Sequence, residues 1–457
     1  MTEAALFSPD LIRRYDRQGP RYTSYPSADR FENDFSLVRA EAALVARDAS
    51  RPLSLYFHVP FCQTLCLYCG CHRIPTRRLA RGTRYVDFLI DEMELVARHL
   101  QGARVATQLH LGGGTPTFLD NHDLERLMLA ARRAFSLAPD AQCSIEVDPR
   151  SVDESRIVHL ASLGFNRLSL GVQDFDSEVQ KAINRIQTEA QTLQVLQAAR
   201  RHGFRSISVD LIYGLPFQTP ARFAVTLQKV IAQRPDRIAL YNYAHLPERF
   251  PAQARMPAAA LPSAEQKLTL LGASIATLAA AGYSYIGMDH FALHSDELAQ
   301  ARQNGTLQRN FQGYSTHAEC ELLGFGVSAI GSVGGSFLQN AKNLDVWESA
   351  IASGRLPVAR GYTLTEDDVV RSELIQALMC QQVVNLTRLG RRFGIDFWTY
   401  FADAQPYLQA LADDGLVRLG RDTIEVLPPG RLLIRHVAMA FDGHLAQANA
   451  ARYSKVI

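Results

Sequence analysis

Six segments of this chain repeat one order of elements: a short apolar strand, a tip of polar or glycine residues, and a helix. The predicted strands cover residues 53–59, 108–111, 143–147, 167–172, 206–212 and 237–241. Because parallel strands need a long crossover connection, usually a helix, this alternation predicts a parallel sheet covered by helices. The alternation fails after residues 283–288, two units short of a closed eight-stranded barrel, and glycine-rich sequence follows at 324–335. We therefore predict an α/β fold with an incomplete, open (β/α)6 parallel barrel.

Two regions outside the alternation predict separate domains. Residues 1–50 have little regular pattern, and cations alternate there with aromatic residues, as Arg13, Arg14, Arg17 and Arg21 do with Tyr15, Tyr22 and Tyr25. This composition predicts an irregular N-terminal arm, a lid that supplies cations to an anionic substrate. Within 361–457, helices are predicted at 366–380, 386–394 and 397–413, then a hairpin at 417–427 and a helix from Pro429. That order resembles a mostly helical, winged-helix-like domain, which leaves 51–360 for the barrel and its extension.

Composition excludes several classes of protein. The chain of 457 residues has a net charge of +2 and is 47% apolar, which excludes a disordered chain. It has no run of the ~18 apolar residues that a membrane span needs, and residues 1–20 lack the apolar core of a secretory signal, so we expect a cytoplasmic protein. Few cations lie on the second and third C-terminal helices, and Asp413 and Asp414 close the third. We therefore expect a domain that covers the substrate, without nucleic-acid binding.

Four of the seven cysteines fall within ten residues, in the pattern Cys62-x3-Cys66-x2-Cys69-x-Cys71. The other three, Cys143, Cys320 and Cys380, are interpreted as buried structural thiols. A tight cluster in a long chain without a secretory signal favours metal or redox chemistry over disulfides. A zinc ribbon needs a second CxxC pair, which the sequence lacks, whereas three thiolates at this spacing suit a four-iron cluster with one iron open to another ligand. A structural zinc site is the alternative.

An iron with an open position would bind the amine and carboxylate of an amino acid that carries a sulfonium. One electron would then cleave a carbon–sulfur bond and release a primary carbon radical, which removes hydrogen from an unactivated C–H group.

Other candidates suit such a ligand: the run Gly112, Gly113 and Gly114 for close backbone approach, Gln173 and Arg185 as an amide and a cation, and Glu146 and Asp210 as carboxylates on apolar strands. Both carboxylates are either ligand-facing or internally paired, and the sequence leaves these alternatives open. Tyr56 and His58 share one strand face, and we interpret His58 and His245 as packed histidines.

The cysteine loop resembles that of the radical S-adenosylmethionine enzymes, and nearly the whole chain resembles one family of them, the oxygen-independent coproporphyrinogen III oxidases. The motifs that carry the resemblance are GPRYTSYP at 19–26, YFHVPF at 56–61, LHLGGGTPT at 109–117, IEVDP at 145–149, GVQDF at 171–175, DLIYGLP at 210–216, YAHLP at 243–247, MDHF at 288–291 and NFQGY at 310–314. The chain departs from the family at 315–318, where STHA replaces the more usual threonine pair and glutamine.

The resemblance implies a [4Fe-4S] cluster on Cys62, Cys66 and Cys69 and two molecules of S-adenosylmethionine. By motif, the cluster-bound molecule would be served by Tyr56, Gly112, Glu146 and Ile330, and the second by Tyr68, Gly113, Gly114, Gln173, Arg185, Asp210 and Ala244. Tyr56 and Cys71 are the catalytic candidates, and Cys71 is expected near the site without ligating iron.

The implied reaction is the oxidative decarboxylation of two propionates of coproporphyrinogen III to vinyl groups, which gives protoporphyrinogen IX in haem biosynthesis. A 5′-deoxyadenosyl radical would remove a hydrogen from the carbon β to each ring attachment, and loss of CO2 and an electron would follow. The expected partners are this porphyrinogen and a low-potential electron donor, and the expected state is a monomer. The alternatives are a haem-binding chaperone or haem-degrading relative of the family and, in a different class, a zinc-containing DNA-binding protein.

Overall fold

The computed structural model describes residues 6–445, which form two compact units. The first unit combines the described residues of Met1–Arg30 and Leu364–Ile457 with Ser263–Ala318, and the second combines Phe31–Pro262 with Glu319–Thr363. No helix among residues 6–445 has both the length and the apolar character needed to cross a bilayer.

These units differ from the division at residues 50 and 360 that the sequence predicts. Pairing between distant residues explains the difference, because Tyr22 in the N-terminal arm donates to Asp442 at 2.9 Å. The arm is also less irregular than predicted, since it contains the helices Pro9–Arg14 and Leu37–Val45. That residues 1–50 act as a lid stays a prediction.

The second unit contains the predicted barrel strands. They are β1 (Leu53–Val59), β2 (Val105–Gly113), β3 (Ser136–Val147), β4 (Arg167–Gln173), β5 (Ser206–Tyr213) and β6 (Arg237–Asn242). Neighbours pair in parallel in chain order from β1 to β6. The predicted open barrel of six parallel strands is confirmed. The carboxyl ends of these strands meet at one edge, where barrels place their functional residues.

Four more strands extend the sheet beyond β1. They are β7 (Glu321–Phe325), β8 (Ile330–Val333), β9 (Ser336–Asn340) and β10 (Val358–Thr363). β7 pairs in parallel with β1. Antiparallel pairs then join β7 to β8, β8 to β9 and β9 to β10. The glycine-rich sequence at 324–335 therefore belongs to this extension.

Helices follow the barrel strands as predicted. The helices of the second unit are Leu37–Val45, Ala80–His99, Asn121–Ala134, Glu154–Ser162, Ser177–Ala182, Glu189–Arg201, Pro220–Ala232 and Leu344–Ala352. Several begin at a capping side chain, as where Asp120 and Asp153 accept from the backbone amide three residues on.

The first unit is mostly helical. Its helices are Pro9–Arg14, Ala264–Ala280, Glu297–Gln303, Glu366–Gln381, Leu386–Phe393, Phe397–Tyr400, Gln405–Asp413, Pro428–Leu432 and Ile434–Met439. Its strands are Tyr283–Gly287 with His290–Leu293, Gln308–Asn310 with Gly313–Ser315, and a sheet of Val383–Asn385, Thr423–Val426 and Val417–Leu419. The helices followed by the hairpin of Val417–Leu419 and Thr423–Val426 give the predicted winged-helix-like order, and the strand Val383–Asn385 between the helices Glu366–Gln381 and Leu386–Phe393 is an addition to it. The single helix predicted at 397–413 is interrupted, since Pro406 stands in the first turn of its last piece.

A buried carboxyl group joins the first barrel helix to the sheet extension. Glu92 on the helix Ala80–His99 is 1% exposed. Its oxygens accept from the Gly326 amide at 2.7 Å, the Asn340 side chain at 2.5 Å and the Trp347 indole at 3.2 Å. Burial raises the pKa of Glu92 to about 8, although the three donors act in the opposite direction.

We predict that Glu92 makes stability depend on pH. Between the usual glutamate pKa of about 4.3 and pH 8, the folded protein holds a proton that the unfolded chain lacks, so the free energy of unfolding falls as pH rises. Glu92→Gln has no ionisable group at this position. The stability of the wild type relative to this variant should therefore fall by about 1.4 kcal/mol per pH unit within the window. Denaturant unfolding at pH 5.5, 6.5 and 7.5 measures the difference.

Glu94→Gln is the control, because Glu94 is exposed on the same helix. Its unfolding free energy should stay within about 0.5 kcal/mol of the wild type at every pH. A difference between wild type and Glu92→Gln that is constant over the range would contradict the prediction.

Candidate functional site

The four clustered cysteines lie on the loop that follows β1. A short parallel pair, Phe61–Cys62 with Ile74–Pro75, closes the base of this loop. The Thr76 amide donates to the Cys62 carbonyl at 2.9 Å and extends the pairing by one bond. The loop is therefore fixed at the carboxyl end of β1.

A cavity of about 320 Å³ lies beside the loop, at the carboxyl ends of the barrel strands. Eleven residues proposed from the sequence line it: Cys62, Cys66, Cys69, Cys71, Tyr68, Gly113, Gly114, Glu146, Gln173, Arg185 and Asp210. Thiols, carboxylates, an amide and a guanidinium from distant parts of the sequence thus face one space. This combination suits a ligand that carries charges of both signs.

Four other candidates, all within the described part of the chain, do not line this cavity. Tyr56 stacks on His110 with 5.8 Å between ring centroids, and Gly112 adjoins the Glu146 carboxylate. The Ile330 backbone lies against Gly324, the register partner of Tyr56 on β7. Tyr56 on β1 and Gly112 on β2 therefore lie on the strands beside the cavity, and Ile330 lies on β8 next to β7. Ala244 is exposed after the end of β6 and lies outside the lining.

Two glycines let the cysteine loop approach β2 closely. A Cβ atom on Gly114 would lie 2.5 Å from the Pro60 carbonyl oxygen, and one on Gly113 would lie 2.7 Å from the His58 ring. Gly113 also has a φ of 116°, which disfavours residues with side chains. Any other residue at these positions would displace the loop that carries Cys62.

Glu146 is held ionised at the end of β3. Its Oε2 accepts from the Gly113 amide at 3.0 Å, and its Oε1 lies 3.4 Å from His110 Nε2. Burial by itself would raise the pKa of Glu146, but the interactions with His110 and Gly113 outweigh it and lower the pKa below its usual value. Because 43% of the side chain stays exposed, a carboxylate is available to a ligand.

Two arginines and an aspartate surround Cys66. Arg150 donates to Asp148 at 2.6 Å and lies 3.6 Å from the Cys66 sulfur. Arg185 donates to the Gly171 carbonyl at 2.5 Å, lies 3.3 Å from Asp148 and 3.5 Å from the same sulfur. The sequence interpretation missed Asp148 and Arg150. The signal for them is their place in the polar tip directly after β3.

Gln173 and Asp210 line the cavity with polar groups that have no hydrogen bond or only long ones. The Gln173 Oε1 atom is buried and has no hydrogen-bond partner among residues 6–445. Ser169 donates to both Asp210 oxygens at 3.4 Å. Burial raises the pKa of Asp210 to about 7, and the nearby Glu146 carboxylate acts in the same direction. An orphaned acceptor and a carboxylate that ionises near neutrality both favour a ligand with N–H donors or positive charge.

The three thiols expected to hold a metal meet at one cavity. Cys62, Cys66 and Cys69 all belong to its lining. Structural zinc takes four protein ligands, whereas a four-iron cluster on three thiolates keeps one iron open to another ligand.

The surroundings of the thiols also suit metal binding. Burial raises the pKa of Cys62 to about 11, although the Thr115 hydroxyl donates to its sulfur at 3.5 Å. A hydrogen bond from Cys71 lowers the pKa of Cys69. A buried thiol such as Cys62 ionises readily only beside a cation, and a metal provides one.

His58 is packed, as the sequence interpretation proposed. Its Nε2–H donates to the His72 carbonyl at 3.0 Å, and its Nδ1 accepts from the Tyr56 hydroxyl at 3.0 Å. Burial lowers the pKa of His58 to about 4, so the ring is neutral. His245 is likewise held, with its Nδ1 at 2.8 Å from the Tyr243 hydroxyl. Both histidines support neighbouring tyrosines.

Comparison with known proteins connects two parts of the chain to described families. Residues 56–230 match the radical SAM superfamily, and residues 364–433 match the HemN C-terminal domain. The chain is 48% identical over 460 residues to the oxygen-independent coproporphyrinogen III oxidase of Pseudomonas aeruginosa, with 100% of both chains covered. It is 46% identical over 449 residues to the protein of that name from Escherichia coli, with 98% of both chains covered.

One solved structure is similar over almost the whole chain. The coproporphyrinogen III oxidase (HemN) of Escherichia coli, described as a radical SAM enzyme, matches with a TM-score of 0.91 and 44% identity. The match covers 96% of this chain and 99% of that one.

We predict that three cysteines are required for iron loading and that the fourth is not. Cys62→Ser, Cys66→Ser and Cys69→Ser should each lose most of their iron and acid-labile sulfide after anaerobic reconstitution, because each removes one ligand. Cys71→Ser is the matched control on the same loop and should keep wild-type iron and sulfide. Elemental analysis and the visible absorption of the cluster measure both. Wild-type protein that binds zinc without sulfide would contradict the assignment.

Proposed function

Because the chain belongs to the family of oxygen-independent coproporphyrinogen III oxidases, we propose that it decarboxylates two propionate side chains of coproporphyrinogen III to vinyl groups without oxygen. The product is protoporphyrinogen IX, an intermediate of haem biosynthesis. The chain is a radical S-adenosylmethionine oxidoreductase by family. The observation that carries the proposal is that cysteine thiols, Glu146, Arg185 and Asp210 all line one cavity.

The family's cofactors are a [4Fe-4S] cluster and S-adenosylmethionine, and the donor set described above fits them. We propose that Cys62, Cys66 and Cys69 hold the cluster, which with S-adenosylmethionine supplies an organic radical that removes hydrogen from the substrate. We further propose two molecules of S-adenosylmethionine. Tyr56, Gly112, Glu146 and Ile330 would serve one, and Tyr68, Gly113, Gly114, Gln173, Arg185, Asp210 and Ala244 would serve the other.

Glu146, Arg185 and Gln173 bind and orient the ligand rather than react. The ionised Glu146 carboxylate attracts an ammonium group, and its bond from the Gly113 amide fixes its direction. Arg185 is 6% exposed and presents its guanidinium to the cavity from a fixed position between Gly171 and Asp148. Gln173 Oε1 is free to accept an N–H of a bound ligand. These groups together match an amino acid with an ammonium group and a carboxylate.

Tyr56 and Cys71 are the proposed catalytic residues. The Tyr56 hydroxyl donates its hydrogen bond to His58, so the tyrosine would contact a ligand through its ring and would not donate a proton to it. Cys71 is exposed on the cysteine loop, and its thiol is hydrogen-bonded to Cys69. Its side chain lines the same cavity as Glu146 and Arg185, so it would contact a group held there.

The proposal is tested by anaerobic assay of the reconstituted protein with dithionite, S-adenosylmethionine and coproporphyrinogen III. The expected products are 5′-deoxyadenosine, CO2 and protoporphyrinogen IX. Glu146→Gln should lower their rate of formation at least about tenfold, because the amide loses the negative charge that attracts the ammonium group. Glu154→Gln, at an exposed carboxylate paired with Arg201, should leave it unchanged.

The outcome separates the alternatives. A haem-binding chaperone would bind haem without forming vinyl product, and a haem-degrading relative would consume haem. A zinc-containing DNA-binding protein would hold zinc without sulfide. We also propose a monomer in the cytoplasm that works with a low-potential electron donor and binds neither nucleic acid nor membrane.

Arginines of the first unit are proposed to bind a substrate propionate. Arg21 donates to Asp289, and 45% of its side chain stays exposed. Arg309 is buried over the Tyr314 ring, at 5.1 Å from its centroid, and its Nε and Nη1 atoms have no hydrogen-bond partner in the described range. Burial of a cation with unused donors is unfavourable unless an anion completes it.

The arm is held in place next to these cations. Arg435 is 1% exposed and donates to the carbonyls of Gly19 and Pro20, the latter at 2.8 Å. Arg21 follows directly in the chain, so its position is fixed by contacts within the unit.

We predict that Arg21→Ala raises the KM for coproporphyrinogen III about tenfold, through the loss of one charged hydrogen bond. Raised salt should weaken substrate binding by the wild type more than binding by this variant. Arg14→Ala is the control, because Arg14 lies exposed on the same arm and pairs with Asp414. Steady-state kinetics at two salt concentrations measure both. Substrate affinity of Arg21→Ala equal to that of the wild type at both would contradict the prediction.

A further inference from the structure

We propose that an exposed basic surface beside the cysteine loop docks an acidic protein that delivers single electrons to the site. The surface comprises Arg77, Arg78 and Arg81, here called the basic patch. The inference rests on the proposed function, because a radical enzyme of this family needs an electron at the cysteine loop. It adds a binding surface and the chemistry of the partner.

The charge of this segment is unusual for the chain. Lys and Arg number 48 against 46 Asp and Glu in the whole sequence, yet residues 72–86 contain no acidic residue. Five arginines fall in the same segment: Arg73, Arg77, Arg78, Arg81 and Arg84. Glu348 pairs with Arg84 at 2.7 Å, whereas within residues 6–445 no carboxylate pairs with the three arginines of the basic patch. Their charge is therefore presented to solvent.

One of the three arginines, Arg81, packs over the Phe61 ring, but the helix itself gives no reason for cations at this end. They surround the start of the helix Ala80–His99, whose first turn has no acidic residue. The positive end of a helix dipole disfavours nearby cations. The charges of the basic patch thus oppose helix stability, which favours a role in binding.

The basic patch is tied to the cysteine loop through the backbone. The Thr76 amide donates to the Cys62 carbonyl at 2.9 Å, and the Thr76 hydroxyl accepts from the Arg78 amide at 3.2 Å. The Arg81 guanidinium lies over the ring of Phe61, at 5.7 Å from its centroid. Phe61 directly precedes Cys62, and two residues of extended chain span at most about 7 Å. A protein docked on the basic patch therefore lies next to a proposed cluster ligand.

Charge complementarity selects the occupant. A carrier with acidic side chains around its redox centre would be steered to this surface and oriented with that centre toward Cys62. In each encounter the reduced carrier loses one electron and the site gains one, and no bond forms between the proteins. A small anionic reductant needs no such surface, since it reaches the cavity by diffusion.

Binding is tested with reconstituted protein and oxidised flavodoxin, an acidic flavin protein, as the probe. Arg77→Glu/Arg78→Glu should weaken binding at least about tenfold in calorimetry at low salt. Raised salt should weaken binding by the wild type and have little effect on the variant. Arg77→Lys/Arg78→Lys should retain most of the affinity. Equal affinity of wild type and the glutamate variant would overturn the proposal.

Arg133→Glu/Arg205→Glu is the matched control, with the same change in net charge. Both residues are exposed, Arg133 in the last turn of its helix and Arg205 just before β5, at the amino ends of the strands. This variant should bind flavodoxin like the wild type. Equal weakening in both glutamate variants would show that overall charge, rather than the basic patch, controls binding and would overturn the proposal.

Product formation gives a second readout. With reduced flavodoxin, 5′-deoxyadenosine formation by Arg77→Glu/Arg78→Glu should fall about tenfold, whereas with dithionite it should equal the wild type. An equal loss with dithionite would place the defect in the cavity and overturn the proposal. Failure of the proposed function is distinguishable, because wild-type protein would then form no 5′-deoxyadenosine with dithionite, while flavodoxin binding would still test the basic patch.

Discussion

The close parallel pairing of β1 and β2 determines where the chemistry of this protein can lie. In their register, His58 is opposite Gly112 and Val59 is opposite Gly113. The Gly114 amide then donates to the Val59 carbonyl at 2.8 Å, at the point where the chain turns into the cysteine loop. The absence of side chains at this edge lets the loop lie directly against β2.

The same backbone also organises the neighbouring strand. The backbone amide of Gly113, at this edge without side chains, donates a hydrogen bond to the Glu146 carboxylate on β3. One local feature therefore sets two distances, from β2 to the thiols and from β2 to the first carboxylate. The remaining polar groups follow from the order of the parallel strands, because β4 and β5 bring Gln173 and Asp210 to the same edge.

Local sequence predicts most of the fold because barrel strands and helices have strong periodic patterns. The six parallel strands follow from apolar segments that recur between amphipathic helices. The first residues of the strands are predicted less well, since β3 begins at Ser136 in polar sequence, seven residues before its predicted start. The extension of β7 to β10 could not be derived in this way. Its strands are four to six residues long and are stabilised by pairing with β1 and with one another, so their local signal is weak.

The site shows the same division between local and tertiary information. The spacing of the cysteines can be recognised within one short segment, and so can each carboxylate in an apolar strand. The residues found in both ways line the cavity. Arg185 in isolation has the appearance of a surface charge, yet it is 6% exposed and bonded to Gly171 and Asp148. Arg150 was missed for the same reason, since its place in the polar tip after β3 suggests a site residue but does not show that it will meet Cys66. Burial of a cation depends on partners that arrive from other strands, and sequence patterns do not report it.

The two carboxylates of the cavity have opposite protonation behaviour for a physical reason. Glu146 has direct donors and a lowered pKa, whereas Asp210 has only a long hydrogen bond from Ser169, and its pKa is raised by burial and by repulsion from Glu146. Positive charge placed between them would stabilise both anions and lower the pKa of Asp210. The two carboxylates therefore favour a cationic ligand over an uncharged ligand of the same shape. That preference arises from the order of the strands, which brings Glu146 on β3 and Asp210 on β5 to one cavity.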